Sequence, residues 1–220
     1  TLFPYTTLFR SAATYGDGAH GYCDEHDMTH ILRPLNMYGY SKQLFDLWAM
    51  KTGFIKYSVG LKYFNVFGPN EYHKDDMRSV AIRAYFQARD LGKVKLFKSY
   101  KKEYADGEQL RDFIYVKDAV QVTMFFLEHP DLSGIYNVGT GKPSSFNQLA
   151  NAVFSALNLP VQVEYIDMPE GLEKRYQYYT CANTSKLLRA GYNRKFMEFT
   201  DSVKDYIQGY LLKDPRSKLD

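Results

Sequence analysis

The fold of this chain is most readable in one stretch, residues 38–69, which reads YGYSKQLFDLWAMKTGFIKYSVGLKYFNVFGP. Apolar side chains recur at helical spacing from Tyr38 to Met50, and Gly53 follows as a stop signal. The run from Ile55 to Val66 is rich in β-branched and aromatic residues and ends at Gly68-Pro69, which is the pattern of a buried strand. The stretch therefore predicts a helix that leads into a buried strand.

The same alternation continues on both sides of this stretch. Further helices are predicted at Val80–Leu91, Asp118–Glu128, Phe146–Leu157, Thr184–Ala190 and Thr200–Leu212. Further strands are predicted at Ala12–Tyr15, Val94–Phe97, Phe113–Val116, Ile135–Val138 and Val161–Ile166. Because helices alternate with short apolar strands, we expect an α/β fold with parallel strands.

Composition excludes several classes of protein. The 220 residues are 45% hydrophobic and 24% charged, as in an ordinary soluble globular protein. The net charge of +3 is spread along the chain, which argues against a dedicated nucleic-acid protein. Two cysteines argue against a disulfide-dense scaffold, and no apolar run approaches the roughly 20 residues of a membrane helix. The 20 tyrosines suit a sugar-like or nucleotide-like cleft, and suit an ordinary core almost as well.

Residues 1–11, TLFPYTTLFRS, resemble the in-frame translation of a short-read sequencing adapter. They do not read as a signal peptide, because no basic region precedes the apolar residues. We therefore expect residues 1–11 to be foreign and the native sequence to begin near Ser11 or Ala12. A short native strand is the alternative.

Tyr38 and Lys42 stand one helical turn apart on the same helix face. Tyrosine has a pKa near 10, and a nearby ammonium group favours its charged form. The spacing alone favours an ordinary surface pair. However, Ser11 and Thr14 fall at the end of a predicted strand just before this helix, and either hydroxyl would orient a substrate alcohol. Tyr38 would then move its proton and Lys42 would hold the ribose of a nicotinamide cofactor.

Four strings together resemble the extended short-chain dehydrogenase/reductase family, whose members act on nucleotide sugars: SAATYG at 11–16, YGYSK at 38–42, YFNVFGP at 63–69 and RDFIYV at 111–116. Within that family, PLNMYGYSK at 34–42 and FNVFGPNEYHK at 64–74 resemble its heptose 6-epimerase branch. The resemblance runs from about Ser11 to about Tyr210.

The resemblance implies two domains. One is the C-terminal part of a Rossmann-type doubly wound parallel sheet, over residues 12–68 and 112–138. The other is a smaller α/β substrate-binding domain, over residues 69–111 and 139–220.

The resemblance also implies a reaction, the epimerisation at C6 of the heptose in ADP-D-glycero-D-manno-heptose. NADP, with NAD as the alternative, would remove a hydride and return it to the opposite face. Tyr38 and Lys74 would handle protons on the two sides of C6, with Ser11 as a third catalytic residue. Lys42, Val66 and Lys74 would contact the cofactor.

The substrate-binding positions implied in the same way are Asn65, Asp76, Arg83, Phe97, Lys98, Ser99, Tyr100, Arg111 and Tyr176. Arg111 would clamp the pyrophosphate with its planar guanidinium group, and an ion pair with Asp112 or Glu108 is the alternative. Asp76 and Arg83 stand where a small hydroxyl residue and a histidine are expected, so the fine substrate contacts are open.

Further implications concern assembly and completeness. The resemblance implies a homo-oligomer, a pentamer, that works in the bacterial cytoplasm on lipopolysaccharide core synthesis, with neither nucleic acid nor membrane as a partner. The Gly-x-x-Gly-x-x-Gly unit that cradles the cofactor pyrophosphate does not occur in these residues, and Gly139–Lys142 cannot replace it because Pro143 follows. We therefore expect the chain alone to be inactive.

Two alternatives remain open. The first is a nucleotide-sugar 4-epimerase or 4,6-dehydratase of the same family, although a dehydratase would carry an Asp-Glu pair where Ala13-Thr14 stands. The second is a non-catalytic metal-binding domain, because His20, Cys23, His26 and His30 fall within eleven residues. These spacings do not complete a usual zinc module, and we expect no metal site.

Overall fold

The computed structural model describes residues 6–173 and 176–218. Its strands are β1 (Thr6–Ser11), β2 (Ser58–Tyr63), β3 (Asn65–Phe67), β4 (Val94–Phe97), β5 (Leu110–Arg111), β6 (Phe113–Tyr115), β7 (Gly134–Val138), β8 (Ser144–Ser145) and β9 (Val163–Ile166). Its helices are α1 (Met37–Lys51), α2 (Val80–Leu91), α3 (Val116–Glu128), α4 (Phe146–Leu157), α5 (Ser185–Arg189) and α6 (Phe199–Tyr206). Single 3₁₀ turns connect several of these elements.

The strands pair mostly in parallel. β1, β2 and β7 form one three-stranded parallel sheet in that order, with β2 in the middle. β3 pairs with β6 and β4 pairs with β9, both in parallel, whereas β5 and β8 pair antiparallel. Helices cover these strands, as parallel sheets require. The predicted α/β fold with parallel strands is confirmed.

Two hydrophobic cores hold these layers together. The larger one packs α2, α4 and α6 around β4 and β6, with Ile82, Phe154 and Val203 almost fully buried. The second packs α3 on the three-stranded sheet through residues such as Leu61 and Val122. Leu187 and Tyr192 also pack in the second core. The exact domain boundaries stay a prediction.

The observed elements differ from those predicted from the sequence in three places. Ala12–Tyr15 form a 3₁₀ turn and not a strand, because Ser11 ends β1 and its Oγ accepts the Ala13 N–H at 3.1 Å. The strand predicted from Ile55 to Val66 is shorter and split, with a 3₁₀ turn at Phe54–Tyr57 and a break at Phe64. The last helix turns from α to π geometry at Ile207–Leu211.

The segment predicted to be foreign contributes β1. Residues 6–11 pair with β2 over their whole length, from Thr6 beside Ser58 to Ser11 beside Tyr63. Threonine, leucine and phenylalanine side chains suit a pleated strand whatever their origin, so this pairing leaves the foreign origin a prediction. Residues 1–5 lie outside the described residues. In the part of the chain that is described, no helix is long and apolar enough to cross a membrane.

Candidate active site

Ser11 ends β1, and the turn that follows it packs against the start of α1, which carries Tyr38 and Lys42; we call these three residues the reactive edge. The 3₁₀ turn that follows Ser11 packs against the start of α1, which Asn36 caps by accepting the Gly39 N–H at 2.8 Å. A Cβ on Gly39 would lie 2.7 Å from the Ala13 carbonyl oxygen, so only glycine permits this close approach. Gly39 therefore allows α1, which carries Tyr38, to pack closely against the turn that follows β1.

The Tyr38–Lys42 pair adopts the predicted relation on one helix face. The Lys42 Nζ lies 5.5 Å from the centre of the Tyr38 ring, close enough for its charge to act on the phenol. Tyr38 is 56% exposed and Lys42 is half-buried. Their polar ends remain open to a ligand at the carboxyl ends of the parallel strands, where open α/β sheets bind nucleotides.

Lys74 lies on a separate loop that a buried carboxylate fixes at both ends. Glu71 accepts the Gly68 N–H at 3.1 Å and the Ser79 N–H at 2.7 Å, and Ser79 Oγ also donates to it at 2.8 Å. Lys74 itself is exposed on the 3₁₀ turn Tyr72–Met77. The turn is anchored, and the side chain that it carries is free to reach a ligand.

A cavity of about 360 Å³ gathers another group of predicted residues. Its lining includes Asn65, Arg83, Phe97, Arg111 and Tyr176. These residues come from β3, α2, β4, β5 and the segment before residue 180, so only the folded chain brings them together. Cavities of this size hold small organic ligands.

Arg111 is the central charge of this cavity. Its side chain is buried, and its guanidinium group donates to the carbonyl oxygens of Leu110, at 2.9 Å, and of Gln177. The Phe146 and Tyr176 rings lie 5.4 and 5.2 Å from its Cζ. Burial lowers the pKa of Arg111, because desolvation disfavours the charged form. Within the described residues it has no carboxylate partner, so an anionic ligand would supply the missing charge.

The alternative ion pairs of Arg111 are not formed. The Asp112 carboxylate accepts the N–H groups of Thr140, Gly141 and Ala182 at 2.8 to 2.9 Å, and the Thr140 hydroxyl donates to it at 2.7 Å. Glu108 accepts from the Asn147 amide. Both carboxylates are therefore occupied by other donors.

Asp112 is the site residue that sequence reasoning missed. It is fully buried, and its carboxylate ties β5 and β6 to the loop after β7 and to the segment around Ala182. A Cβ on Gly139 would lie 2.7 Å from this carboxylate, which explains the glycine there. Its main-chain oxygen also accepts the Asn65 N–H at 3.1 Å. No local spacing signals these contacts, because the partners lie 28 to 70 residues away.

Four further predicted residues, Val66, Lys98, Ser99 and Tyr100, are not part of the cavity lining. The side chains of Lys98 and Tyr100 both bond Asp167 Oδ1, at 3.2 and 3.1 Å, and the Ser99 hydroxyl donates to the Lys101 carbonyl. Val66 is half-buried on β3 and packs against the second core. The side chain of Asp76 lies outside the described residues. Their substrate and cofactor contacts stay predictions.

The histidine-rich segment does not form a metal centre. Within residues 6–173 and 176–218, no three His, Cys, Asp or Glu side chains are grouped to hold a metal ion. His26 Nε2 instead accepts the Ile135 N–H at 3.2 Å, so this nitrogen carries no proton. His26 is exposed as a residue, but the partial burial of its ring beside Gly134 lowers its pKa, and the charge of Lys186 lowers the pKa further.

Comparison with known proteins shows which family the chain belongs to. Residues 6–139 match the NAD dependent epimerase/dehydratase family. The chain belongs to that family. Its fold is accordingly Rossmann-like, and the predicted membership is confirmed.

Similar proteins narrow the resemblance. The chain is 52% identical to the ADP-L-glycero-D-manno-heptose-6-epimerase of Nitratidesulfovibrio vulgaris over 91% of this chain and 62% of that protein. It is 49% identical to the enzyme of the same name from Fusobacterium nucleatum, over 93% of this chain and 64% of that protein. The crystal structure of the Helicobacter pylori ADP-L-glycero-D-manno-heptose-6-epimerase superposes with a TM-score of 0.71 at 27% identity, covering 93% of this chain and 59% of that one. The chain thus spans a little under two thirds of their length.

The reactive edge fits the nicotinamide cofactor that the family is named for. Lys42 places an ammonium group beside an exposed phenol at the carboxyl end of a parallel strand, and Ser11 ends that strand. An ammonium group there can donate to ribose hydroxyls, and the phenol and the serine hydroxyl can hold an alcohol. The side chains at this edge are therefore of the types that could hold a nicotinamide cofactor.

Proposed function

We propose that the protein containing this chain converts ADP-D-glycero-D-manno-heptose to its L-glycero epimer at C6, with NADP as cofactor. The observation that carries the proposal is the buried Arg111, which lines the cavity and has no carboxylate partner among the described residues. Such a charge, surrounded by aromatic rings, suits a nucleoside diphosphate. The heptose is proposed because the similar proteins bear this substrate in their names.

The cavity would hold the nucleotide end of the substrate. The planar guanidinium group of Arg111 can donate two parallel hydrogen bonds to the pyrophosphate. Tyr176 and Phe97, whose rings meet edge to face at 6.0 Å, would line the space beside it. Asn65, on β3, would contact the sugar end. Arg83, which also lines the cavity, would contact the substrate from α2.

The reactive edge would handle the proton of the reacting alcohol. When bound, NADP supplies the hydride chemistry at C6, with Lys42 and Val66 as its proposed contacts. The Tyr38 phenol would exchange a proton with the oxygen on C6, and the Lys42 Nζ lies 5.5 Å from the centre of its ring. Ser11 would orient that oxygen. Lys74 would serve as the acid or base on the opposite face and would also contact the cofactor.

The same proposal includes the more detailed implications of the family resemblance. They are Lys98, Ser99, Tyr100 and Asp76 as further substrate contacts, a homopentameric assembly, a bacterial cytoplasmic location and a role in lipopolysaccharide core synthesis. Light scattering of the purified protein tests the pentamer directly. The proposal also includes that a protein consisting of residues 1–220 alone does not catalyse the epimerisation.

The test is proton NMR of ADP-D-glycero-D-manno-heptose incubated with a protein of full family length that contains residues 12–220, with no cofactor added. We expect conversion to the L-glycero epimer, because an internally recycled cofactor stays bound. The variant Lys74→Met should convert more slowly by a factor of at least about 100.

The control is Lys56→Met, which removes an exposed lysine in the 3₁₀ turn before β2, at the opposite end of that strand from Ser11. It should leave the rate unchanged. A folded protein that does not convert the heptose, with or without added NADP, would refute the proposed function. UDP-hexose 4-epimerisation by the same sample would favour the alternative within the family.

A further inference from the structure

Gln87 enters the cavity from α2 with its amide fixed in one orientation. Its Oε1 accepts the Lys95 backbone N–H at 2.8 Å. A backbone N–H can only donate, so the amide group cannot be turned around, and its Nε2 keeps two hydrogens to donate. Gln87 lines the cavity together with Lys95 and Phe97. No acceptor for Nε2 is found within the described residues.

The neighbouring edge of β4 adds two backbone groups that have no partner within the described part of the chain. Val94 and Lys98 donate their N–H groups to the carbonyl oxygens of Gln162 and Ile166, on the β9 side, at 2.9 Å. In a parallel pair, alternate residues use one partner strand, so Lys95 and Phe97 point their backbone groups to the other edge. The Gln87 side chain accepts the Lys95 N–H, and the Phe97 carbonyl oxygen accepts the Gly107 N–H at 3.3 Å. The two groups that remain at this edge are the Lys95 carbonyl and the Phe97 N–H.

The free groups then form an ordered array along the cavity wall. It consists of a donor at Gln87 Nε2, an acceptor at the Lys95 carbonyl and a donor at the Phe97 N–H. Adenine presents an acceptor at N7, an amino donor at N6 and an acceptor at N1 along one side. A 6-oxopurine carries an acceptor in place of the amino group and a donor at N1, so it opposes the two backbone groups.

We propose that Gln87 is a specificity-determining residue that donates a hydrogen bond to N7 of the adenine base. This inference rests on the proposed function, because it assumes that an adenine nucleotide occupies the Arg111 cavity. Gln87 also keeps the Lys95 N–H occupied, so the carbonyl beside it is the group offered to the amino group of the base. A site that pairs each polar group of its ligand rejects an analogue that leaves one unpaired.

The test is calorimetric titration of this chain with ADP and with 7-deazaadenosine diphosphate, in which a carbon replaces N7. Wild type should bind the deaza analogue about tenfold more weakly. Gln87→Met should bind ADP about tenfold more weakly and should bind the two ligands equally. Leu91→Ala, an exposed position on the same helix, is the control and should keep the wild-type ratio.

The outcomes separate the two proposals. Equal binding of both ligands by wild type, with affinity for ADP still lost in Arg111→Met, overturns the role of Gln87 and leaves the proposed function standing. A Gln87→Met variant that keeps the tenfold ratio also overturns the role. Failure of folded wild type to bind ADP removes the nucleotide assignment and this inference with it. The ratio of two affinities is independent of any loss of folded protein.

Discussion

The Arg111 cavity and the reactive edge are built in opposite ways. Arg111 is buried, and its neighbour Asp112 is locked by four hydrogen bonds from donors far along the chain. Tyr38 and Lys42, in contrast, lie one turn apart on α1, whose start packs against the turn after Ser11, and the Tyr38 side chain is exposed. Contacts within the protein therefore fix the shape of the cavity without a ligand. The Tyr38 phenol at the reactive edge faces solvent and would find its partner only on a bound ligand.

The difference predicts that substitutions at the two regions affect different measurements. Changes at the reactive edge should alter turnover and leave folding and nucleotide affinity intact. Changes around Arg111 should alter affinity or stability. The following variants test this separation, from the largest expected effect to the smallest.

Tyr38→Phe should lower epimerisation in a full-length protein by a factor of about 100 to 10,000, because the phenol is the proposed proton carrier. The loss is measured by NMR under saturating substrate. ADP affinity and the free energy of unfolding should match wild type, since the hydroxyl is exposed. Tyr57→Phe, at another exposed tyrosine, is the matched control. Turnover close to wild type would remove Tyr38 from the mechanism.

Asp112→Asn should lower the free energy of unfolding by about 3 kcal/mol, because a charged acceptor of three backbone N–H groups is replaced by a single amide oxygen. Urea unfolding of the chain gives this value. Asp131→Asn, at an exposed position, should change it little. A loss below about 1 kcal/mol at Asp112 would mean that the cavity does not depend on this carboxylate.

Arg111→Met should weaken ADP binding about 30-fold, which corresponds to about 2 kcal/mol for losing a buried charged donor to the diphosphate. Stability should stay the same or rise, because a buried guanidinium group without a carboxylate partner is costly to desolvate. Calorimetry and urea unfolding measure the two effects. Arg111→Lys keeps the charge without the planar fork and should bind in between. Unchanged affinity in Arg111→Met would contradict the cavity assignment.

His26 should give the smallest effect, a loss of stability on acidification of less than about 1 kcal/mol. Burial lowers the pKa of His26 in the folded state, and a protonated ring cannot accept the Ile135 N–H. Its contribution is therefore complete above the unfolded value near 6.5 and is lost as the pH falls through that value towards the lower folded one. Urea midpoints between pH 8 and 5 measure the loss.

The control for His26 is a matched pair of variants. His26→Gln should unfold with a flatter pH dependence than wild type, and His30→Gln, an exposed histidine of the same segment, should follow wild type. Identical pH profiles for His26→Gln and wild type would exclude this ring as the titrating group.

Part of the site could be predicted from the sequence, because it depends only on the spacing of residues within one helix. Tyr38 and Lys42 are one turn apart on a helix whose periodicity is clear, so their shared face follows from spacing. The placing of Asn65, Arg83, Phe97, Arg111 and Tyr176 in one cavity was expected only from the family resemblance. The locked carboxylate of Asp112 and the fixed amide of Gln87 were not foreseen, because neither has a sequence signal.

The sequence by itself determined the elements with strong periodicity. Helices Val80–Leu91 and Phe146–Leu157 and strand Val94–Phe97 begin and end at the predicted residues, because propensity, caps and glycine stops act within a few residues. Only the tertiary structure decided that the pairing of β1 with β2 would end at Ser11, before the turn Ala12–Tyr15, and that Arg111 would have no acid partner among the described residues. Both outcomes depend on contacts between segments far apart in the chain, and local patterns carry no information about those contacts.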